Sequence, residues 1–247
     1  MKSAQTTQRQ NSASRFYLLH LVIPLVAAGL VLWVIYLLGI DERITRLFFD
    51  PVTQQFPLRN HWFLEVVMHR WAKYAVVILG VAVLAAYLLS FRIAALASLR
   101  RVLLFLVLAM GLSSGTVSYL KSVSHKQCPY DLKMYGGYAP YTALFEKTPQ
   151  GVKPGRCWPG GHSSAGFCLM AFYFAGLHLR NKRLASWGLY GGFGLGFVLG
   201  MGRVLQGAHF LSHHIWTALI CWLVMLALYE LILRHFSPAA EENALQT

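Results

Sequence analysis

The chain has 247 residues, 56% hydrophobic and only 13% charged, with a mean hydropathy of +0.49. A soluble domain of this size carries about 25% charged residues, so the composition excludes an ordinary soluble domain and points to an integral membrane protein. The 22 Lys+Arg against 9 Asp+Glu give a net charge of +13; the cations sit in short connections between apolar runs, which argues against nucleic acid and for an anionic lipid or substrate.

Residues 1–15, MKSAQTTQRQNSASR, form a polar, basic tail. The apolar run that follows is long enough to span a bilayer and has no small-residue cleavage motif after it, so it reads as a retained first transmembrane helix. Six runs meet the spanning length of about 20 residues, roughly 16–39, 73–91, 102–120, 162–179, 185–203 and 211–233. The expected fold is all-α: a polytopic six-helix bundle in one membrane domain over 16–236, with a polar C-terminal tail at 237–247. Residues 40–72 alternate apolar and polar positions. They predict short interfacial helices anchored by Trp62, Phe63 and Trp71, with His61 and His69 as further boundary residues.

Residues 121–161 are rich in Lys, Gly, Pro and Tyr, with MYGGYAPYTALF in the middle. They read as a long outer loop of low helix propensity, and such loops are usually functional. His125 and Lys126 within it read either as cations that draw in an anionic headgroup or, as the favoured reading, as solvated charges. The fourth run opens with HSSAG and the fifth reads GLYGGFGLGFVLGMG; small residues let membrane helices approach closely, which places both inside the bundle. Cys168 and Cys221 read as packing residues, and Glu230 is set to pair with Arg234 one turn on. The four cysteines form no CxxC pair, so no zinc site is signalled.

Lys2, Arg9 and Arg15, then Arg92, Arg100 and Arg101, then Arg180, Lys182 and Arg183 all fall on one side of a six-span layout. By the positive-inside rule that side is cytoplasmic, with both termini on it. The opposite side receives 40–72, 121–161 and the turn at 204–210.

Three stretches on that outer side carry chemistry. In Arg156 to Phe167, RCWPGGHSSAGF, Pro159 and the glycines stop any helix before His162, and a helix begins just after. Its unpaired N–H groups suit an anion, and Gly160 and Gly161 let backbone approach a phosphate. In Arg203 to His214, RVLQGAHFLSHH, Arg203 is a fixed cation suited to bidentate phosphate contact. His209 beside it suits a nucleophile or proton donor, and His213 lies one helical turn further on the same face. In Lys121 to Pro129, KSVSHKQCP, Lys121 is a point charge leaving the third run. Each stretch alone also fits a boundary residue at a helix end.

Together the three resemble the motifs of the type 2 phosphatidic acid phosphatase superfamily, KxxxxxxRP, PSGH and SRxxxxxHxxxD. Here they stand as Lys121 to Pro129, Pro159 to His162, and Gly202 to His213, over about 115–217. The resemblance implies a lipid phosphatase acting on a phosphomonoester or diphosphate drawn from the bilayer, with no metal or other cofactor. By that likeness His209 attacks phosphorus and forms a phosphohistidine, and His162 protonates the leaving oxygen. Lys121, Arg203 and the amides near Gly160 and Gly161 hold the phosphate. It also implies a bacterial inner membrane with the site facing the periplasm. Transfer to a second lipid, as in the lipid A diphosphate synthases of the superfamily, is the alternative outcome. Nothing in the sequence specifies an oligomeric state.

Three positions depart from the pattern. Cys128 replaces the motif-one arginine, Gly160 the motif-two serine, and His213 the aspartate that orients the nucleophile. Asp131 is a candidate to supply the missing charge from the loop, in which case Asp131→Asn would cut turnover far more than Lys133→Ala. Cys128 and Cys157 both lie in the outer loop, where an oxidising compartment favours a disulfide. A reading of another class takes His209, His213 and His214 as a metal-binding HxxxHH cluster in a non-catalytic lipid- or metal-binding protein.

Overall fold

The computed structural model describes residues 13–234. The tails expected at 1–15 and 237–247 lie outside it, except that the first helix already begins at Ala13. All regular elements among the described residues are helical, with only isolated bridges at Asp50–Gln55 and Leu132–Ala139. The helices are α1 (Ala13–Leu37), α2 (Ile40–Arg46), α3 (Phe63–Leu89), α4 (Ala94–Ala97), α5 (Arg100–Val123), α6 (161–178), α7 (Lys182–Leu205) and α8 (Leu211–Ile232). Five of them, α1, α3, α5, α7 and α8, are long and apolar enough to cross a membrane. The fourth apolar run, α6, is helical throughout but wound in three pieces, Gly161–Phe167, Cys168–Met170 and Ala171–His178. The chain is an all-α polytopic membrane protein.

Residues 40–72 do not form a row of interfacial helices. Only α2 is separate there; a string of turns follows, and Phe63–Trp71, wound as π-helix, runs straight into the rest of α3. Glu65, His69 and Arg70 lower the hydropathy of this stretch, so the span looks shorter in sequence than it is. Glu65 and His69 are tolerated because they meet Arg203 of α7.

The glycines of α6 and α7 are where these two helices touch. A Cβ on Gly166 would collide with the backbone of Gly196, and one on Gly196 with the ring of Phe167. No larger residue permits that approach, which is how small residues direct packing where lipid supplies no hydrophobic drive. Phe105, Val117, Phe167, Phe174 and Met225 fill the centre between α5, α6 and α8. The α1 helix docks through His20, whose Nε2 lies 2.7 Å from Tyr173 Oη and whose carbonyl accepts from Trp222 Nε1 at 2.6 Å. The outer faces of α1 and α3 expose Trp33, Tyr36, Val77 and Ile78, as suits a surface against lipid chains. Glu230 pairs with Arg234.

Outside the bundle, Phe56, Leu132, Tyr135 and Phe210 form a second small core that pins the outer loop over the site. Lys126 is not a solvated charge. It is 6% exposed, and its ammonium donates to the carbonyls of Ala143 and Glu146 at 2.6 and 2.5 Å. A disulfide joins Cys128 to Cys157, with Cα atoms 5.1 Å apart.

Candidate active site

Four separate elements deliver the motif residues to one end of the bundle. Lys121 lies in the last turn of α5, Gly160 to His162 open α6, Arg203 lies in the last turn of α7, and His209 precedes α8, whose first turn holds His213 and His214. Backbone contacts hold the α6 and α8 starts together: Gly160 N–H donates to the His213 carbonyl at 3.3 Å. The Thr217 hydroxyl is shared between the His213 carbonyl at 2.7 Å and that of Gly160 at 3.2 Å. Lys121 reaches this junction, for a Cβ built on Gly161 would stand 3.6 Å from its Nζ.

Arg203 is gripped on one side only. Its Nη1 is shared among Gln206 Oε1 at 2.7 Å, His69 Nδ1 at 3.0 Å and Glu65 Oε2 at 3.2 Å. Its Nε is buried with no protein partner. A guanidinium anchored through one nitrogen and bare along another edge is oriented for a bidentate oxyanion. The rings of His69 and His162 lie 3.6 Å apart between centroids, and His162 Nδ1 is buried without a partner. His69 is therefore no interface anchor; it links Arg203 to His162.

His209 is 2% exposed. Burial holds its imidazole well below its usual pKa, and nearby His214, His213, Lys121 and Arg203 push the same way. It is thus neutral at neutral pH, as a nucleophile must be. Its Nδ1 lies 3.3 Å from His213 Nδ1 and 3.4 Å from Cys157 Sγ. With His209 as donor in the histidine pair, the lone pair falls on its Nε2. His213 stands where the motif-three aspartate is expected and makes the orienting contact without supplying a charge. Asp131 does not supply it either: the charged groups around Asp131 are Arg59 and Lys153, while those around His209 are the histidines, Lys121 and Arg203.

A PAP2 superfamily profile matches residues 102–237, more than half of the chain. The chain belongs to the PAP2 superfamily. No curated protein sequence and no solved structure gives a significant match. In this PAP2 chain the matched region contains every motif residue but not Glu65 or His69, which α3 brings from outside it.

His214, which the sequence offered only as part of a metal-binding cluster, is a further residue packed into the site. It is 1% exposed, its ring lies 5.4 Å from that of His209, and its Nδ1 stands 3.0 Å from Ser163 Oγ. Ser163 spends its own proton on the Gly160 carbonyl at 2.8 Å, so His214 Nδ1 is the donor, and its Nε2 is buried without a partner. A Cβ on Gly160 would fall 2.5 Å from His214 Nδ1. The sequence signals for the α3 residues are weak but present: Glu65 and His69 sit four residues apart in a mostly apolar stretch.

A cavity of about 790 Å³ opens between the outer end of α1, the outer loop and the start of α8, lined by Trp33, Tyr36, Tyr141, Phe145 and Trp216 with His213 in its wall. An apolar groove of about 460 Å³ lies between α1, α7 and α8.

Proposed function

We propose that this PAP2 protein hydrolyses a lipid phosphomonoester or diphosphate through a phosphohistidine on His209, at the periplasmic face of a bacterial inner membrane. The observation that carries the reading is the convergence of Lys121, His162, Arg203 and His209 from four elements onto one end of the bundle. Phosphoryl transfer needs little beyond positioning and stabilised charge on the equatorial oxygens. Lys121 and the bare edge of Arg203 supply the cations, and the amides of Gly160 and Gly161 supply donors at the start of α6. His209 Nε2 attacks phosphorus, and His162, protonated once the phosphate's negative charge stands beside it, gives its proton to the leaving oxygen. Water then attacks the phosphohistidine, with His162 taking its proton back. The large cavity and the apolar groove suit a headgroup and a lipid chain. The positive-inside pattern supports cytoplasmic termini and a periplasmic site.

Purified protein incubated with undecaprenyl diphosphate, phosphatidic acid, phosphatidylglycerol phosphate and lipid A tests this, with free phosphate and lipid masses both followed. Phosphate release on at least one lipid is expected to resist a chelator. His209→Ala is expected to lose on the order of a thousand-fold or more in turnover. Mass gained by one lipid at another's expense would make the enzyme a phosphotransferase. Folded protein that turns over none of the lipids would defeat the catalytic reading.

A further inference from the structure

The disulfide sulfur against the proposed nucleophile has a second use. Cys157 Sγ lies 3.4 Å from His209 Nδ1, which lies 3.3 Å from His213 Nδ1, and one ligand atom from each of the three residues falls within 4.8 Å of the other two. A tetrahedral zinc ion, with bonds of about 2.0–2.1 Å to nitrogen and about 2.3 Å to sulfur, spaces its ligands about 3.3–3.4 Å for N···N and about 3.5–3.6 Å for N···S. Two edges of such a site are already at length. In the oxidised protein Cys157 is bonded to Cys128, and a disulfide sulfur is not a thiolate ligand.

We infer that Cys157, His209 and His213 form a zinc-type site that the Cys128–Cys157 disulfide keeps closed. The site opens when the pair is in the thiol state, either before the bridge first forms or after a dithiol reduces it. In that exchange two electrons and two protons pass to the cysteines, and the dithiol closes to its own disulfide. A divalent cation of zinc's softness then binds the Cys157 thiolate, releasing the thiol proton to solvent, together with both Nδ1 atoms. His213 forms part of the wall of the 790 Å³ cavity, which provides the entry path and room for water as a fourth ligand. His214 takes no part, because its ring nitrogens are not among the ligand atoms that converge there.

The consequence for activity rests on the phosphohistidine reading. A neutral imidazole bound to metal through Nδ1 carries its proton on Nε2, which removes the lone pair that attacks phosphorus. The disulfide thus protects the nucleophile from metal, and reduction exposes the enzyme to zinc inhibition.

The test uses full-length protein in detergent and cobalt(II) as a visible stand-in for zinc. Cys128→Ser frees the Cys157 thiol without any reductant, and wild type reduced by a dithiol and then freed of it under nitrogen serves if that variant does not fold. Each is expected to bind one cobalt per chain with a thiolate-to-metal charge-transfer band and tetrahedral d–d bands. Oxidised wild type and Cys128→Ser/Cys157→Ser should show neither band. Absence of the bands from both thiol forms, or equal bands in oxidised wild type, overturns the site. Zinc should also lower phosphate release at least tenfold in Cys128→Ser and leave oxidised wild type unchanged. Cobalt bands without inhibition would uphold the site and count against His209 as the nucleophile.

Discussion

Gly160 and His214 compete for one volume. The imidazole of His214 occupies the space into which a side chain at 160 would project, and Gly200 flanks it on another side, where a Cβ would stand 2.7 Å from its Cγ. The loss of the motif-two serine is thereby tied to a histidine just beyond the next motif. Gly160→Ser alone is expected to cost tenfold or more in kcat/KM and to lower the melting temperature, since overpacking a closed site costs about 1–3 kcal/mol. Gly160→Ser with His214→Ala should recover stability, and a double-mutant cycle reads the coupling directly. Additive effects would separate the two residues. The buried state of His209 sets the pH dependence. Its pKa in the folded protein is depressed, so the neutral form persists as pH falls below the ordinary imidazole value of 6.5. The acid limb of kcat/KM, which reports the free enzyme, should therefore lie below pH 6.5. By linkage the stability from neutral His209 is full above that value and declines beneath it. An acid limb at or above it would mean a solvated nucleophile. With Arg59 and Lys153 as the charged groups acting on Asp131, Asp131→Asn and Lys133→Ala should have similar, small effects on turnover.

The helices arrange these residues through contacts that only small side chains permit. Gly166 and Gly196 bring α6 and α7 close enough for the His162 and Arg203 ends to meet. Gly196→Val should drive a branched side chain into the Phe167 ring and destabilise the bundle by roughly 2–4 kcal/mol, within the range of severe core changes, seen as a lowered melting temperature in detergent. A melting temperature within a degree of wild type would show that α6 and α7 do not depend on this approach. The glycine-rich fifth run announced such packing in the sequence, because a run of small residues within an apolar span has few other uses. The entry of α3 did not announce itself in the same way. Hydropathy treats Glu65 and His69 as breaks in a span, whereas the fold sets them against Arg203. Glu65→Gln should loosen Arg203 and raise KM more than it lowers kcat; an unchanged KM would mean that Gln206 and His69 suffice to hold the guanidinium.

At the scale of the whole molecule, a membrane bundle carries an ordered cap over one end. The cap depends on the Cys128–Cys157 bridge, on Lys126 threaded between two carbonyls and on a small aromatic core. The bridge closes a sequence separation of 29 residues, for which the chain-entropy model gives roughly 3–4 kcal/mol. Cys128→Ser should accordingly lower the melting temperature of metal-free protein by several degrees; an unchanged value would mean that the other contacts hold the cap unaided. The cap is tied to the bundle through Asp41 of α2, which accepts from Ser212 N–H at 2.9 Å and Ser212 Oγ at 2.5 Å, placing a carboxylate at the positive end of α8.

Local chemistry was sufficient for part of this. Long apolar runs have no stable alternative to membrane helices, because backbone groups in lipid must be satisfied within the segment, so the all-α class followed from composition and periodicity. The spacing from His209 to His213 suggested one turn of a common helix, but His209 stands before α8 with Phe210 extended, so the 3.3 Å approach of the two imidazoles is made by the way the chain enters the helix and not by a shared helical face. Tertiary structure alone decided which other groups complete the junction. Glu65 and His69 lie far from Arg203 in sequence and meet it only because α3 packs beside α7. Asp131 is near motif one in sequence, yet the charged groups that act on it are Arg59 and Lys153. Distance along the chain carries no information about contacts made across helix packing, and electrostatic roles are set by those contacts.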